Sequence, residues 1–223
     1  SFYRKPGADI CLKKEDVDVS LLKETEIFHF GSLSLTDEPS RSATLFAIEQ
    51  ARAAGALVSY DPNYRPPLWD SPEAAVEQMK SVLNKTDIVK VSREELIMLT
   101  GEDGLESGAR KLLDCGATLV FVTDGEYGAS YCSETCFGFV PAFKVRAVDT
   151  TGSGDAFLGA LLYRLAGKSL DGLKALTDEE LSDIVRFGSA AGGLTATARG
   201  AIPAMPDEAA ILDCIAHMPV YGK

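Results

Sequence analysis

The chain has 223 residues, of which 46% are hydrophobic and 25% are charged, a composition typical of a folded globular protein with one substantial core. Its formal net charge of −11 argues against nucleic acid or an anionic membrane surface as the main partner. No apolar run approaches the roughly 20 residues that a membrane span requires. We therefore expect a cytoplasmic protein whose partners are small molecules.

From residue 27 onwards the hydrophobic pattern alternates strands with helices. Strands are predicted at residues 27–30, 57–60, 88–91, 119–122 and 143–148, with short antiparallel strands within 129–143. Helices are predicted at residues 40–54, 72–85, 94–99, up to 113, 157–165 and 184–198, with an amphipathic connection at 170–180. This alternation predicts an α/β fold with a parallel sheet covered by helices on both faces. Ligands bind such sheets at the carboxyl ends of the strands.

Residues 149–157 read Asp-Thr-Thr-Gly-Ser-Gly-Asp-Ala-Phe and lie between a predicted strand and a predicted helix. Gly152 and Gly154 allow successive N–H groups to converge at the positive end of that helix, which predicts an anion site with Asp155 beside it. The plainer interpretation is a tight connection with an aspartate that caps the helix. A dinucleotide-binding turn, and with it an NAD-dependent enzyme, is disfavoured because Phe157 stands where the third glycine belongs.

The motif at 149–157 resembles the C-terminal signature of the PfkB or ribokinase-like family of carbohydrate kinases. The resemblance implies a three-layer α/β/α sandwich with a mostly parallel sheet. It also implies ATP and Mg²⁺ as cofactors, with K⁺ as a further candidate. By the same resemblance, Gly152, Ser153 and Gly154 hold the transferring phosphoryl group, and Asp155 removes the proton from the sugar hydroxyl. Phosphoryl transfer needs only such positioning and charge stabilisation.

Residues 2–9 read Phe-Tyr-Arg-Lys-Pro-Gly-Ala-Asp and resemble the end of the β-lid in fructokinases and 2-keto-3-deoxygluconate kinases. The resemblance implies that Arg4 reaches the substrate, whereas its plainer interpretation is a solvated surface arginine. We expect residues 1–12 to end a lid and residues 13–223 to form a kinase domain that lacks the N-terminal strands and most of the lid. The chain then corresponds to the C-terminal two thirds of a longer kinase. We expect that kinase to be a homodimer, because the lid often forms the dimer interface in relatives.

Two loops that follow predicted strands resemble family segments. Residues 61–65 read Asp-Pro-Asn-Tyr-Arg, and the resemblance to fructokinases implies that Arg65 faces the sugar. Ser92 stands where the family pattern Asn-x-x-Glu has asparagine, so the resemblance assigns Ser92 to the nucleotide site and Glu95 to hydrated Mg²⁺. Ser-x-x-Glu before an apolar helix is also a capping box, and both interpretations can hold together.

The resemblance assigns two further sets of residues. Residues 123–128, after the fourth strand, resemble the family's nucleotide loop, although the glycines there would equally suit a hairpin turn. The nucleotide candidates in this loop are Thr123, Asp124, Gly125 and Gly128. The resemblance also places the adenine near Ser189 of the Gly- and Ala-rich helix. Asp149 and Thr151 resemble, with residues 198–201, the loop that holds a monovalent cation in many relatives. Helix packing is the alternative reason for the small residues around Ser189.

Cysteine and histidine residues are few. Cys132 and Cys136 are close enough for a zinc site, but no second pair follows, and we expect free thiols. His29 lies in an apolar run, where we expect a packed and hydrogen-bonded histidine.

Four family-like segments in the family order predict an ATP-dependent sugar kinase that phosphorylates a primary hydroxyl, with fructose to fructose 6-phosphate as the expected reaction. A 2-keto-3-deoxygluconate kinase is the alternative within the class, since Arg4 and Arg65 together could bind a carboxylate. The alternative of a different functional class is a catalytically inactive, regulatory member of the family, because Ser92 departs from the family pattern Asn-x-x-Glu.

Overall fold

The computed structural model describes residues 7–221 of the chain. The predicted substrate residue Arg4 and the first part of the predicted lid segment lie outside the described residues. Of the remainder of that segment, Ala8–Cys11 forms a single 3-10 turn.

Six strands alternate with helices, as the hydrophobic pattern predicts. The strands are β1 Ile27–Gly31, β2 Leu57–Asp61, β3 Ile88–Ser92, β4 Leu119–Thr123, β5 Gly128–Cys132 and β6 Phe137–Pro141. The helices are α1 Val19–Glu24, α2 Ser40–Ala53, α3 Pro72–Lys80, α4 Arg93–Thr100, α5 Leu105–Asp114, α6 Ser153–Leu165, α7 Leu170–Lys174, α8 Asp178–Thr195 and α9 Glu208–His217. Each predicted strand up to residue 122 lies within one residue of its observed bounds.

The six strands form one sheet in the order β1-β2-β3-β4-β5-β6. β1 with β2 and β2 with β3 pair in parallel, whereas β5 pairs with β6 in antiparallel. The α/β class is confirmed, and the sheet is mixed. The chain contacts divide into two compact units, Ser1–Val120 and Phe121–Lys223.

In the first unit the sheet is covered by apolar residues of its own helices. Val58, Tyr60 and Val89 are fully buried within β2 and β3. Helix α2 packs on β1 and β2, and helix α4 packs on β3. Burial on both faces explains why these strands are mostly apolar and do not alternate apolar with polar residues. The predicted helix 72–85 ends early, at Lys80.

In the second unit helices α6 and α8 pack closely through glycines. A Cβ atom added at Gly192 would lie 2.9 Å from the carbonyl oxygen of Ser153, and one added at Gly188 would lie 3.0 Å from the Leu161 side chain. The small residues of α8 therefore serve helix packing, because any larger residue at these positions would push the two helices apart.

The predicted strand at residues 143–148 is wrong. Phe143 forms an isolated bridge with Val220, while the N–H groups of Val148 and Asp149 both donate to the carbonyl of Ala196, at 2.8 and 3.1 Å. Phe143 is buried in an apolar cluster with Phe187, and Val145 packs against that cluster. The alternation of apolar and basic residues thus reflects side-chain burial in a segment whose main chain bonds two different parts of the chain.

The predicted start of the Gly- and Ala-rich helix at residue 184 is also wrong, since α8 begins at Asp178. The predicted connection before it contains α7 and a capping box. There the Thr177 hydroxyl accepts the N–H of Glu180 at 3.3 Å, and the Glu180 carboxylate accepts the N–H of Thr177 at 2.9 Å. Thr-x-x-Glu was a readable signal for that helix start. Within residues 7–221 no helix is both long and apolar enough to cross a membrane.

Candidate functional site

The glycine turn before α6 has the geometry of an anion site. Gly152 precedes the helix in the left-handed conformation, with φ of +82°, and no side chain among the described residues caps the helix. The Ser153 N–H already donates to the Thr150 carbonyl at 3.1 Å, and the Ala156 N–H donates to the Gly152 carbonyl at 2.8 Å. The helix therefore begins with its positive end uncapped, which favours a bound anion.

A second loop fixes the position of the glycine turn. A Cβ atom added at Gly152 would lie 2.9 Å from the Cβ of Ala201, which itself has φ of +49°. Position 152 therefore requires glycine for two independent reasons, the left-handed conformation and the close approach of residue 201.

Asp155 lies in the first turn of α6 and is exposed. It contributes to the wall of a cleft of about 360 Å³, which is otherwise lined mostly by apolar residues of α6, α8 and α9. An exposed carboxylate one turn from an uncapped helix start can accept a proton from a group that approaches the anion.

Asp149 and Thr151 are brought together at the start of the same turn. The Thr151 N–H and hydroxyl both donate to Asp149 Oδ1, at 3.0 and 2.6 Å. Both bonds lower the pKa of Asp149, and the bond from the Thr151 hydroxyl has the larger effect. The charge of Arg199 also lowers this pKa. Asp149 is therefore ionised at neutral pH, and its role in binding a monovalent cation stays a prediction.

The predicted nucleotide loop forms the hairpin turn between β4 and β5. The Asp124 N–H donates to the Gly128 carbonyl at 2.8 Å, and Gly125 has φ of +54°. A Cβ atom at Gly128 would lie 2.1 Å from the Val140 carbonyl oxygen. The hairpin interpretation is confirmed. The roles of Thr123, Asp124, Gly125 and Gly128 in binding the nucleotide stay predictions, and so does that of Ser189, which is half-buried on α8.

In the first unit Ser92 and Glu95 form the predicted capping box at the start of α4. Ser92 Oγ accepts the Glu95 N–H at 3.2 Å, and Glu95 Oε2 accepts the Ser92 N–H at 2.8 Å. The other oxygen, Glu95 Oε1, accepts the N–H of Tyr64 at 2.7 Å. Glu95 is 7% exposed, and burial, followed by the charge of Asp61, raises the pKa of its carboxyl despite these bonds.

The last residue of β2 forms a buried ion pair with β3 that sequence reasoning missed. Lys90 Nζ on β3 lies 3.0 Å from Asp61 Oδ2, and the two residues are 6% and 3% exposed. Asp61 Oδ1 accepts the N–H of Asn63 at 3.0 Å, and Arg65 Nη1 donates to the Tyr64 carbonyl at 3.0 Å. A lysine inside an otherwise apolar strand was the signal that could have revealed the pair.

Within residues 7–221 no three His, Cys, Asp or Glu side chains are grouped so that they could hold a metal ion. Hydrated Mg²⁺ near Glu95 stays a prediction. Cys132 and Cys136 are thiols that form no disulfide bond, as predicted. His29 is hydrogen-bonded, with Nδ1 3.1 Å from Ser59 Oγ, but the prediction that it is packed is wrong, because it is exposed on the edge strand β1.

Comparisons with known proteins match most of this chain. The pfkB family carbohydrate kinase model matches residues 1–208. Fructokinase-1 of Zea mays is 46% identical over 216 residues, which cover 96% of this chain and 66% of that protein. Probable fructokinase-2 of Arabidopsis thaliana is 46% identical, over 93% of this chain and 62% of that protein. The chain thus spans slightly less than two thirds of the length of these curated relatives.

Among solved structures, the fructokinase of Xylella fastidiosa with bound ATP superposes with a TM-score of 0.88 at 34% identity, over 97% of this chain and 69% of that one. The fructokinase of Vibrio cholerae O395, solved with fructose, ADP and calcium ion, gives 0.84 at 36% identity, over 96% of this chain and 67% of that one. A double mutant of the latter was solved with fructose, ADP and potassium ion.

Proposed function

Because this chain belongs to the pfkB family of carbohydrate kinases, we propose that the protein transfers the γ-phosphoryl group of ATP to the primary hydroxyl of fructose, giving fructose 6-phosphate. The observation that carries the proposal is the uncapped start of α6, with left-handed Gly152 before it and exposed Asp155 in its first turn. Fructokinases among the similar proteins, one of them solved with fructose and ADP, support the choice of sugar.

Each residue of the turn has one task in the proposed reaction. The Asp155 carboxylate accepts the proton of the attacking hydroxyl, which makes that oxygen a better nucleophile. In the proposal, the main-chain N–H groups of the turn at 152–154 stabilise the charge that develops on the transferring group, for which the Ser153 N–H leaves the Thr150 carbonyl. Arg65 binds the sugar in the proposal, and Arg4 is a second candidate for that task.

The cofactor residues follow the same proposal. Thr123, Asp124, Gly125, Gly128 and Ser189 bind the nucleotide, and Ser92 contacts its phosphates. Glu95 holds hydrated Mg²⁺ through water, which is chemically reasonable because each carboxylate oxygen keeps a lone pair after its bond to an N–H group. Bound Mg²⁺ neutralises phosphate charge during transfer. Asp149 and Thr151 belong to a K⁺ site, and the complete protein is a cytoplasmic homodimer.

The test is steady-state phosphorylation of fructose by the complete protein with ATP and Mg²⁺. Asp155→Asn removes the proton acceptor with little change in size, so kcat should fall by about 10²- to 10⁴-fold. The KM for ATP should stay within about twofold, because the substitution leaves the N–H groups in place. Asp183→Asn on α8 is the matched control, since Asp183 is also an exposed aspartate of the same unit.

Three other outcomes are informative. Turnover of 2-keto-3-deoxygluconate in place of fructose would replace the sugar and keep the kinase. Binding of ATP without phosphorylation of any sugar would favour the inactive, regulatory alternative. Full activity of Asp155→Asn would contradict the assigned proton acceptor.

A further inference from the structure

We propose that Lys90 is a positioning residue, which controls sugar affinity by fixing the loop 61–65 through Asp61 without contacting the sugar. The inference rests on the proposed function, because Arg65 at the end of that loop is the proposed sugar ligand. Lys90 lies outside the family-like residues assigned above, and its ammonium group makes an ion pair inside the protein.

The ion pair between Lys90 and Asp61 is poorly explained by stability alone. The side chains are 8% and 4% exposed, so both charges have lost most of their water. Desolvation of two charges offsets most of the attraction between them, and well-packed apolar residues are often as stable in their place. A buried pair of this kind therefore suggests a geometric task.

The contacts of Asp61 indicate which geometry the pair fixes. While Oδ2 contacts Lys90, Oδ1 accepts the N–H of Asn63, a non-glycine residue with φ of +47°. The next N–H, that of Tyr64, donates to buried Glu95. Two consecutive main-chain N–H groups of the loop thus bind two buried carboxylates, one from β2 and one from α4. Glu95 is fixed in turn by the Ser92 N–H, and Asp61 is fixed by Lys90.

Arg65 depends directly on this arrangement. Its Nη1 donates to the carbonyl of Tyr64 at 3.0 Å, so the peptide that follows the fixed N–H of Tyr64 also orients the guanidinium. If Lys90 is removed, Asp61 loses the ammonium group that contacts its Oδ2 and can rotate away from the Asn63 N–H. The loop then samples several conformations, and only a fraction of the molecules present Arg65 in the position that binds sugar, which weakens the apparent affinity.

The test compares Lys90→Met with wild type in the complete protein. The KM for fructose should rise about tenfold or more, while the KM for ATP stays within about twofold. In an Arg65→Ala background, Lys90→Met should add little, because it acts through a side chain that is already absent. An unchanged KM for fructose, or an equal rise in the Arg65→Ala background, would overturn the proposal.

Arg52→Met is the matched control. Arg52 Nη1 lies 3.5 Å from Asp87 Oδ1, so this variant also removes a cation beside a largely buried carboxylate, but at the opposite ends of β2 and β3. It should lower the melting temperature and leave the KM for fructose unchanged. Should Lys90→Met fail to fold, Lys90→Met/Asp61→Asn removes both charges, and its side-chain oxygen can meet the Asn63 N–H but is no longer held there by an ammonium group, so the same rise in KM is expected.

Amide hydrogen exchange separates failure of this inference from failure of the proposed function. The N–H groups of Asn63 and Tyr64 should exchange faster in Lys90→Met than in wild type or in Arg52→Met, whatever the protein phosphorylates. Faster exchange without sugar kinase activity would contradict the proposed function and support the positioning role of Lys90. Unchanged exchange at both amides would contradict the positioning role.

Discussion

Asp149 and Glu95 have pKa values shifted in opposite directions. Hydrogen bonds from Thr151 lower the pKa of Asp149 below its ordinary value of 3.8, whereas burial raises that of Glu95 above 4.5. Asp149 therefore contributes stability that is present above pH 3.8 and is lost as the pH falls through its folded-state pKa. The contribution of Glu95 is present below pH 4.5 and is lost as the pH rises through its folded-state pKa.

Thr151→Val should raise the pKa of Asp149 towards its ordinary value, because the hydroxyl that donates to Oδ1 is the largest cause of the shift. The measurement is a carboxyl-carbon NMR titration between pH 2 and 6. Thr150→Val is the matched control and should leave the titration of Asp149 unchanged. A pKa of Asp149 that is equally low in Thr151→Val would show that the Thr151 hydroxyl is not the cause.

Sequence reasoning reached individual residues only where a local pattern exists. The capping box of Ser92 and Glu95 is a spacing of three, and the structure contains it. The ion pair of Lys90 with Asp61 joins residues 29 positions apart, so no local spacing reveals it. The pairing follows from the parallel register of β2 and β3, which a single sequence does not specify.

At the scale of elements, the crossing of α6 and α8 depends on glycine at particular positions of α8. Gly192→Ala should lower the free energy of unfolding by about 1–3 kcal/mol, because its Cβ would lie 2.9 Å from a main-chain oxygen that cannot rotate away. Gly193→Ala is the control one position along, where the nearest contact of an added Cβ is an ordinary 3.6 Å. That variant should gain up to about 1 kcal/mol from helix propensity.

Urea denaturation of both variants measures the difference directly. If Gly192→Ala proved as stable as Gly193→Ala, the two helices would be free to move apart, and the crossing would not be tightly packed. The fluorescence of the single Trp69 and the far-ultraviolet circular dichroism should give the same midpoint if unfolding is two-state.

The bounds of strands were predictable where buried side chains and main-chain pairing in the sheet occur in the same residues. β2 and β3 are mostly apolar, apart from Ser59 and Lys90, and each ends at a polar residue, so their bounds were predicted closely. Residues 143–148 have the alternation of a strand without its ladder, because their N–H groups bond the carbonyls of Pro219 and Ala196, far along the chain. Side-chain patterns report burial, and they report main-chain partners only indirectly.

At the scale of the whole molecule, the net charge of −11 should make the stability of the chain depend on salt. Like charges repel in the compact state, and raising NaCl from about 10 to about 150 mM shortens the screening length from about 30 to about 8 Å. We expect the melting temperature at pH 7 to rise, by about 2–4 °C for each kcal/mol of repulsion that is screened.

Differential scanning calorimetry at the two salt concentrations measures this effect. The control is the same pair of scans at pH 4.7, the isoelectric point of the sequence, where the net charge and with it the salt effect should nearly vanish. An equal rise at both pH values would assign the effect to general salt stabilisation and not to net charge.

The loop that carries Arg65 is fixed through main-chain N–H groups, those of Asn63 and Tyr64. Because every amino acid except proline supplies such an N–H group, the bond at position 64 does not require tyrosine. Laboratory evolution for new sugar substrates could randomise position 64 while Asp61, Lys90 and Glu95 are kept, and most members of such a library should still fold. The same property would let natural descendants change substrate preference by single substitutions without first losing the loop.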